Sequence, residues 1–141
     1  MKRKAPMKTI LFLSLSITAL VLAGCSTSTD GEESGYTLID AEELAAMIDE
    51  RGETFLLVNT HIPFEGNLPS TDLSVPFDEI NQNLDQFPAD KDAEIVLYCR
   101  SDRMSRIAAE ELVEAGYTNL KMLTGGMVAW QNAGMSLEME P

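Results

Sequence analysis

Cysteine is almost missing from this chain. Its 141 residues hold two, Cys25 and Cys99, and a single histidine, His61. Two distant thiols make no Cys-x-x-Cys redox pair, and with one histidine there is no cluster at zinc-ligand spacing. Positive charge is also scarce: ten Lys and Arg stand against 23 Asp and Glu, a formal net charge of −13. Without a basic stripe to neutralise phosphates, nucleic acid is excluded as a partner. No glycine-rich loop opens a βαβ nucleotide motif, so Gly125-Gly126 reads as a turn. Long apolar runs are lacking too. Ile10 to Ala23, broken by Ser14, Ser16 and Thr18, is shorter than the ~20 residues that span a bilayer.

That run has a different use. Lys2, Arg3, Lys4 and Lys8 precede it, and the small residues Ala23 and Gly24 follow, the three-part layout of a secretory signal. Leu22-Ala23-Gly24-Cys25 resembles the bacterial lipobox. The resemblance implies cleavage before Cys25, a diacylglycerol on its sulfur and acylation of the new amine, enough acyl chain for stable anchoring. Residues 1–24 are then a lipoprotein signal peptide and 25–35 a lipidated, flexible tether. Ser26 to Gly35 would span ~17 Å as a random coil, at ~5–6 Å × √n. The expected location is a bacterial membrane, facing the periplasm or the cell exterior. With the signal removed, six Lys and Arg remain against all 23 acidic residues, a formal −17.

A lipid on Cys25 leaves Cys99 without a partner in the chain, which is unusual for an exported protein. Its position argues for use. Glu94 to Tyr98 is an apolar, β-forming run ending at Cys99; six polar or flexible residues follow, and Arg106 to Ala115 reads as a helix closed by Gly116. A thiol between a strand's C-terminal end and a helix N-terminus sits where open α/β sheets bind ligands, and loop N–H groups and the helix dipole attract anions there. Arg100, Arg103 and Arg106 are half of the six remaining cations.

Elsewhere strands and helices alternate. Tyr36 to Ile39 is a short strand. Asp40, with Glu43 three residues on, forms a capping box for a helix whose Leu44, Met47 and Ile48 share one face and which Gly52 stops. Thr54 to Thr60 is a continuous buried strand. His61 to Thr71 is loop, Asp72 to Val75 a short strand, and Phe77 to Phe87 a helix with Ile80, Leu84 and Phe87 on one side. Asn119 to Leu123 is the last strand, Met127 to Asn132 a short helix packed by Trp130, and Met135 to Pro141 a tail. This order implies βαβ units, hence an α/β domain with a mostly parallel sheet and helices on both faces.

Three stretches within residues 36–137 carry a resemblance to the rhodanese-like domain family. Ile95 to Ser105, with Cys99-Arg100-Ser101-Asp102-Arg103-Met104-Ser105, is similar to a loop that often reads Cys-Arg-Ser-Gly-x-Arg-Ser. Ala115-Gly116-Tyr117-Thr118-Asn119-Leu120, followed by Leu123-Thr124-Gly125-Gly126-Met127-Val128-Ala129-Trp130, resembles the family's ending. Leu56 to His61 matches a strand that usually ends in an aspartate and an arginine. The resemblance implies a three-layer domain over 36–137, with a mostly parallel five-stranded sheet flanked by helices and 138–141 as a tail. It also implies sulfurtransferase chemistry: Cys99 takes sulfane sulfur from a small anionic donor such as thiosulfate, becomes a persulfide and passes the sulfur to a thiol acceptor, which can be a protein. The N–H groups from Arg100 to Ser105 would cradle the persulfide, Arg100 and Arg103 would attract the donor, the Ser105 hydroxyl would bond the sulfur, and the relay would need no metal or organic cofactor.

The chain departs from the pattern at several places. Asp102 replaces the loop glycine, bringing a charge that opposes a thiolate, and Arg103 stands one place early, before Met104. Asn59 and His61 replace the strand-end Asp and Arg, and Gly66-Asn67-Leu68-Pro69 stands where Gly-His-Ile-Pro is common. Asn59 and His61 are auxiliary site candidates. His61 reads as a base or as a structurally bonded side chain, with Glu65 able to join it. Two other functions share the fold. One is a non-catalytic persulfide carrier or protein-docking module. The other is a phosphatase or arsenate reductase, which needs Cys-x5-Arg, whereas position 105 is Ser.

Overall fold

Ile95–Tyr98 is buried at every position, because this strand runs through the middle of the sheet and is covered on both faces. The computed structural model describes residues 34–50 and 54–140. The signal peptide, Cys25, most of the tether and the Gly52 stop lie outside the described residues.

Five strands, β1 (Thr37–Ile39), β2 (Leu56–Asn59), β3 (Leu73–Ser74), β4 (Ile95–Tyr98) and β5 (Leu120–Leu123), form one sheet in the order β1-β5-β4-β2-β3. Every strand pair in it is parallel. The helices α1 (Ala41–Asp49), α2 (Arg103–Glu114) and α3 (Gly126–Asn132) complete the framework. Leu57, Val96, Tyr98 and Leu123 face a cluster with Leu44 of α1 and Met127 and Trp130 of α3. Val58, Ile95, Leu97 and Met122 face the other, with Ala108, Ala109 and Leu112 of α2. The strands are apolar on both sides for this reason, and the expected three-layer α/β arrangement is the one observed.

Asp40 caps α1, its Oδ1 accepting from Glu43 N at 2.8 Å, a contact of about 1 kcal/mol. Two segments depart from expectation. Phe77 to Phe87 is not an α-helix but two 3-10 turns, Ile80–Gln82 and Leu84–Gln86. Asn83 is the cause: its Nδ2 donates to Glu79 O at 2.8 Å, the carbonyl an α-helix would reserve for the residue 83 N–H, while that N–H goes to Ile80 O at 3.0 Å. The apolar side survives, with Ile80 and Phe87 buried and Leu84 packed beside them. The segment read as a tail is tied down: Asn67 N donates to Glu138 O and Glu138 N to Asn67 O, both at 2.7 Å. At the other end, Ser34 and Gly35, read as the end of the tether, form a turn, and Gly35 packs so closely on Val113 that a β-carbon would lie 2.8 Å from its Cγ2.

The adjacent strands β4 and β5 send their helices to opposite faces, α2 to one and α3 to the other. A crevice opens where such connections diverge, at the strands' carboxyl ends. Cys99 directly follows β4 at that end of the sheet.

Candidate active site

The loop after β4 is shorter than the sequence suggests. Only Cys99 to Asp102 lies outside regular structure, because Arg103, Met104 and Ser105 form the first turn of α2. Arg106 N is the first to close a helical turn, onto Asp102 O at 3.0 Å, so the N–H groups of Arg103, Met104 and Ser105 have no carbonyl within the helix. An N-cap aspartate normally accepts from this first turn. Asp102 makes no such bond; its Oδ1 accepts instead from Gly125 N at 2.8 Å. The carboxylate expected to oppose a thiolate is therefore turned onto the start of α3, and the first-turn N–H groups of α2 stay unclaimed by their cap.

Cys99 is buried, 1% exposed. Its Sγ lies 3.4 Å from Ser105 Oγ, while the Ser105 hydroxyl donates to Asp102 O at 3.0 Å. One hydroxyl has one proton. With a neutral thiol, Cys99 donates to Ser105; once the sulfur is ionised or persulfidated, the hydroxyl can rotate to donate to it.

The other side of the loop is sewn to α3. Met127 N donates to Cys99 O at 2.9 Å and Val128 N to Arg100 O at 3.0 Å. Holding those carbonyls on the α3 side directs the N–H groups of the same peptide units, Arg100 and Ser101, the opposite way, since a trans peptide is planar. Close approach is what makes this possible: Gly126, at φ +52°, has no side chain, and a β-carbon would lie 2.2 Å from Cys99 O and 2.8 Å from Ser101 O. From the sequence Gly125-Gly126 reads as a turn alone; its role as the seat of the Cys99 loop depends on a contact made across the fold.

Asn59 ends the adjacent strand β2, and His61 lies two residues beyond it in the loop. The register pairs Asn59 with Tyr98, and Thr60 N donates to Tyr98 O at 2.8 Å, which brings His61 to the rim beside Arg100. Asn59 is buried. Its Nδ2 donates to Gly66 O at 3.1 Å and Asn67 Oδ1 at 2.9 Å, and its Oδ1 accepts from His61 N at 2.9 Å. A carbonyl can only accept and a backbone N–H only donate, so the amide orientation is unambiguous. The Tyr98 hydroxyl extends this network to Leu68 N, Thr71 Oγ1 and Asn67 Oδ1, and burial pushes its ionisation above the ordinary tyrosine range. The familiar aspartate at position 59 would lose both donations here. Asn59→Asp is expected to lower stability by about 2–4 kcal/mol, through two unmade buried hydrogen bonds and a partly desolvated charge; a urea unfolding midpoint that stays put would contradict it.

The His61 side chain is 7% exposed, with Nε2 3.5 Å from Glu65 Oε2. That contact is within ion-pair range but lacks hydrogen-bond geometry, and among the described residues Nδ1 has no hydrogen-bond partner either. Glu65 Oε2 also stands 3.1 Å from Arg100 Nε. Arg100, Ser101 and Arg103 are exposed, whereas Asp102 and Met104 are half-buried. Among the described residues no group of His, Cys, Asp and Glu is arranged to hold a metal.

Known proteins place this geometry in a family. The sequence profile of the rhodanese-like domain matches residues 32–133. A sulfurtransferase of Allochromatium vinosum is 33% identical over 102 residues, covering 70% of this chain and 92% of that protein. Two solved structures share the fold. A rhodanese-related protein from Thermoplasma volcanium has a TM-score of 0.62 at 21% identity, covering 74% of this chain and all of that one. A thiosulfate sulfurtransferase from Pseudomonas aeruginosa has a TM-score of 0.65 at 24% identity, covering 77% of this chain but 21% of that one. At these identities the structural likeness speaks for the fold alone, while the profile and the Allochromatium relative extend it to sequence. The chain therefore belongs to the rhodanese-like domain family, with a sulfurtransferase among its relatives.

Proposed function

We propose that this protein is an exported, lipid-anchored sulfurtransferase that carries sulfane sulfur as a persulfide on Cys99. One observation carries the reading: Cys99 Sγ lies beside Ser105 Oγ in the first turn of α2, while the residue that should cap that turn, Asp102, is bonded to Gly125. Donors are left uncapped where a sulfur anion would need them.

In the first half-reaction the Cys99 thiolate attacks the sulfane sulfur of a donor such as thiosulfate. The sulfur–sulfur bond of the donor breaks, and sulfite leaves with the electron pair. In the second, an acceptor thiolate attacks the outer sulfur of the persulfide and Cys99 departs as a thiolate. Ser105 donates to the sulfur while it is anionic, and the helix N–H groups and Arg103 stabilise the developing charge. Anchoring rests on the lipobox-like Leu22-Ala23-Gly24-Cys25, which would hold the domain at the outer face of a bacterial membrane.

Incubating residues 26–141 with thiosulfate, polysulfide and a thiosulfonate tests the transfer: Cys99 is expected to gain the mass of one sulfur atom. If no donor loads it, the transferase reading fails and a docking module becomes the better account. Anchoring is tested separately. Cys25→Ser should leave the precursor uncut or the protein free of the membrane fraction, and a variant still membrane-bound and processed would sink the lipid assignment.

A further inference from the structure

Glu65 is a charged group at this rim to which the transfer reaction assigns no role. Its Oε2 lies 3.1 Å from Arg100 Nε and 3.5 Å from His61 Nε2. The His61 ring is buried and its backbone N–H is held by Asn59 Oδ1, so one partner of the carboxylate is fixed in place. Glu65 and Arg100 are themselves 44% and 62% exposed, open to a solute arriving from solution. Arg100 adjoins Cys99 and is the cation a small dianionic donor would meet beside the thiol, yet its charge already faces a carboxylate. Asp102 supplies a second negative charge in the loop, and acidic residues outnumber basic ones in the chain 23 to ten.

We infer that Glu65 is a specificity-determining residue: it cancels Arg100 and selects against small dianions such as thiosulfate, in favour of uncharged or singly charged donors of the organic persulfide class, R–S–SH. The inference rests on the sulfurtransferase reading for its substrate and on the ion pair for its electrostatics. With such a donor the Cys99 thiolate attacks the outer sulfur, the S–S bond of the donor breaks, and R–S⁻ leaves with the electron pair and takes a proton from water. A fixed negative charge repels a dianion twice as strongly as a monoanion and leaves a neutral molecule untouched. Discrimination should therefore scale with charge and shrink with salt.

The test uses the full-length protein in detergent, natural or with Glu65→Gln, which keeps the shape of the side chain. Alkylation of the Cys99 peptide by iodoacetate and by iodoacetamide, read by mass, compares an anion with a neutral reagent of similar size and requires no sulfur transfer. Glu65→Gln is expected to raise the iodoacetate-to-iodoacetamide rate ratio about threefold at low salt and less in 0.5 M KCl. Thiosulfate loading should then rise roughly tenfold, as two such charges imply, with little change for a persulfide donor. Glu65→Ala should act in the same direction. An unchanged ratio in both variants overturns the inference. Failure of both reagents to reach Cys99 in every form also overturns it, since the loop would then exclude solutes regardless of charge. If the ratio rises while no donor loads Cys99, the electrostatic filter stands and the transferase reading falls.

Discussion

Gly126→Ala is expected to unseat the Cys99 loop and with it any chemistry at the sulfur. The new methyl carbon would be placed 2.2 Å from Cys99 O, and Arg100 C and Ser101 O are each 2.8 Å away. All three are backbone atoms, so no side chain can swing aside. Either α3 withdraws, breaking the bonds from Met127 N to Cys99 O and from Val128 N to Arg100 O, or the loop does. Forcing such an overlap typically costs 1–3 kcal/mol, and an alanine at positive φ adds about 1–2 kcal/mol. A fall of about 2–5 kcal/mol in unfolding free energy should accompany loss of persulfide loading. Urea unfolding and mass analysis of Cys99 measure the two effects separately. A variant as stable and as readily loaded as the natural protein would show that the stitching to α3 does not hold the loop.

Cys99→Ser should be the complementary case, mild in stability and null in transfer. The replacement keeps a small side chain beside Ser105 Oγ but buries a hydroxyl in place of a thiol, so the unfolding free energy is expected to fall by only about 1–2 kcal/mol. The reaction, in contrast, needs a thiolate, since a serine hydroxyl forms no persulfide. Sulfur gain should fall below detection for every donor. In cells, a Cys99→Ser strain indistinguishable from its parent would shift the balance to a docking role, because a module that only binds has no use for the sulfur. Read together, the two variants separate the nucleophile from its seat: one removes the reacting atom and leaves the loop, the other displaces the loop and leaves the atom.

The position of Cys99 was legible because it rests on neighbours in the chain. Ile95 to Tyr98 alternates toward two apolar layers and is β-forming throughout, so the strand and its end can be read locally. Arg106 to Ala115 carries helical periodicity in the same way. The helix starts a turn earlier than that periodicity indicates, because its first turn, Arg103-Met104-Ser105, carries no apolar face for spacing to register. Phe77 to Phe87 failed for a similar reason: the apolar spacing fits a helix, but one Asn83 side chain competes for the backbone, and periodicity does not register such a competitor.

By itself the sequence determined the α/β alternation, the buried parallel strands, a thiol at a strand end and the acidic balance of the chain, since each follows from spacing or composition. Tertiary structure alone decided where the charges of the site go. Asp102 meets Gly125 across 23 residues, and Glu65 reaches Arg100 from the loop after the adjacent strand β2. Charged side chains can turn to solvent or to any partner within reach, and nothing in local spacing chooses among them. The packing of α3 under the Cys99 loop and the β2–β4 register make that choice, turning Asp102 onto Gly125 and bringing the carboxylate of Glu65 to the cation beside the sulfur.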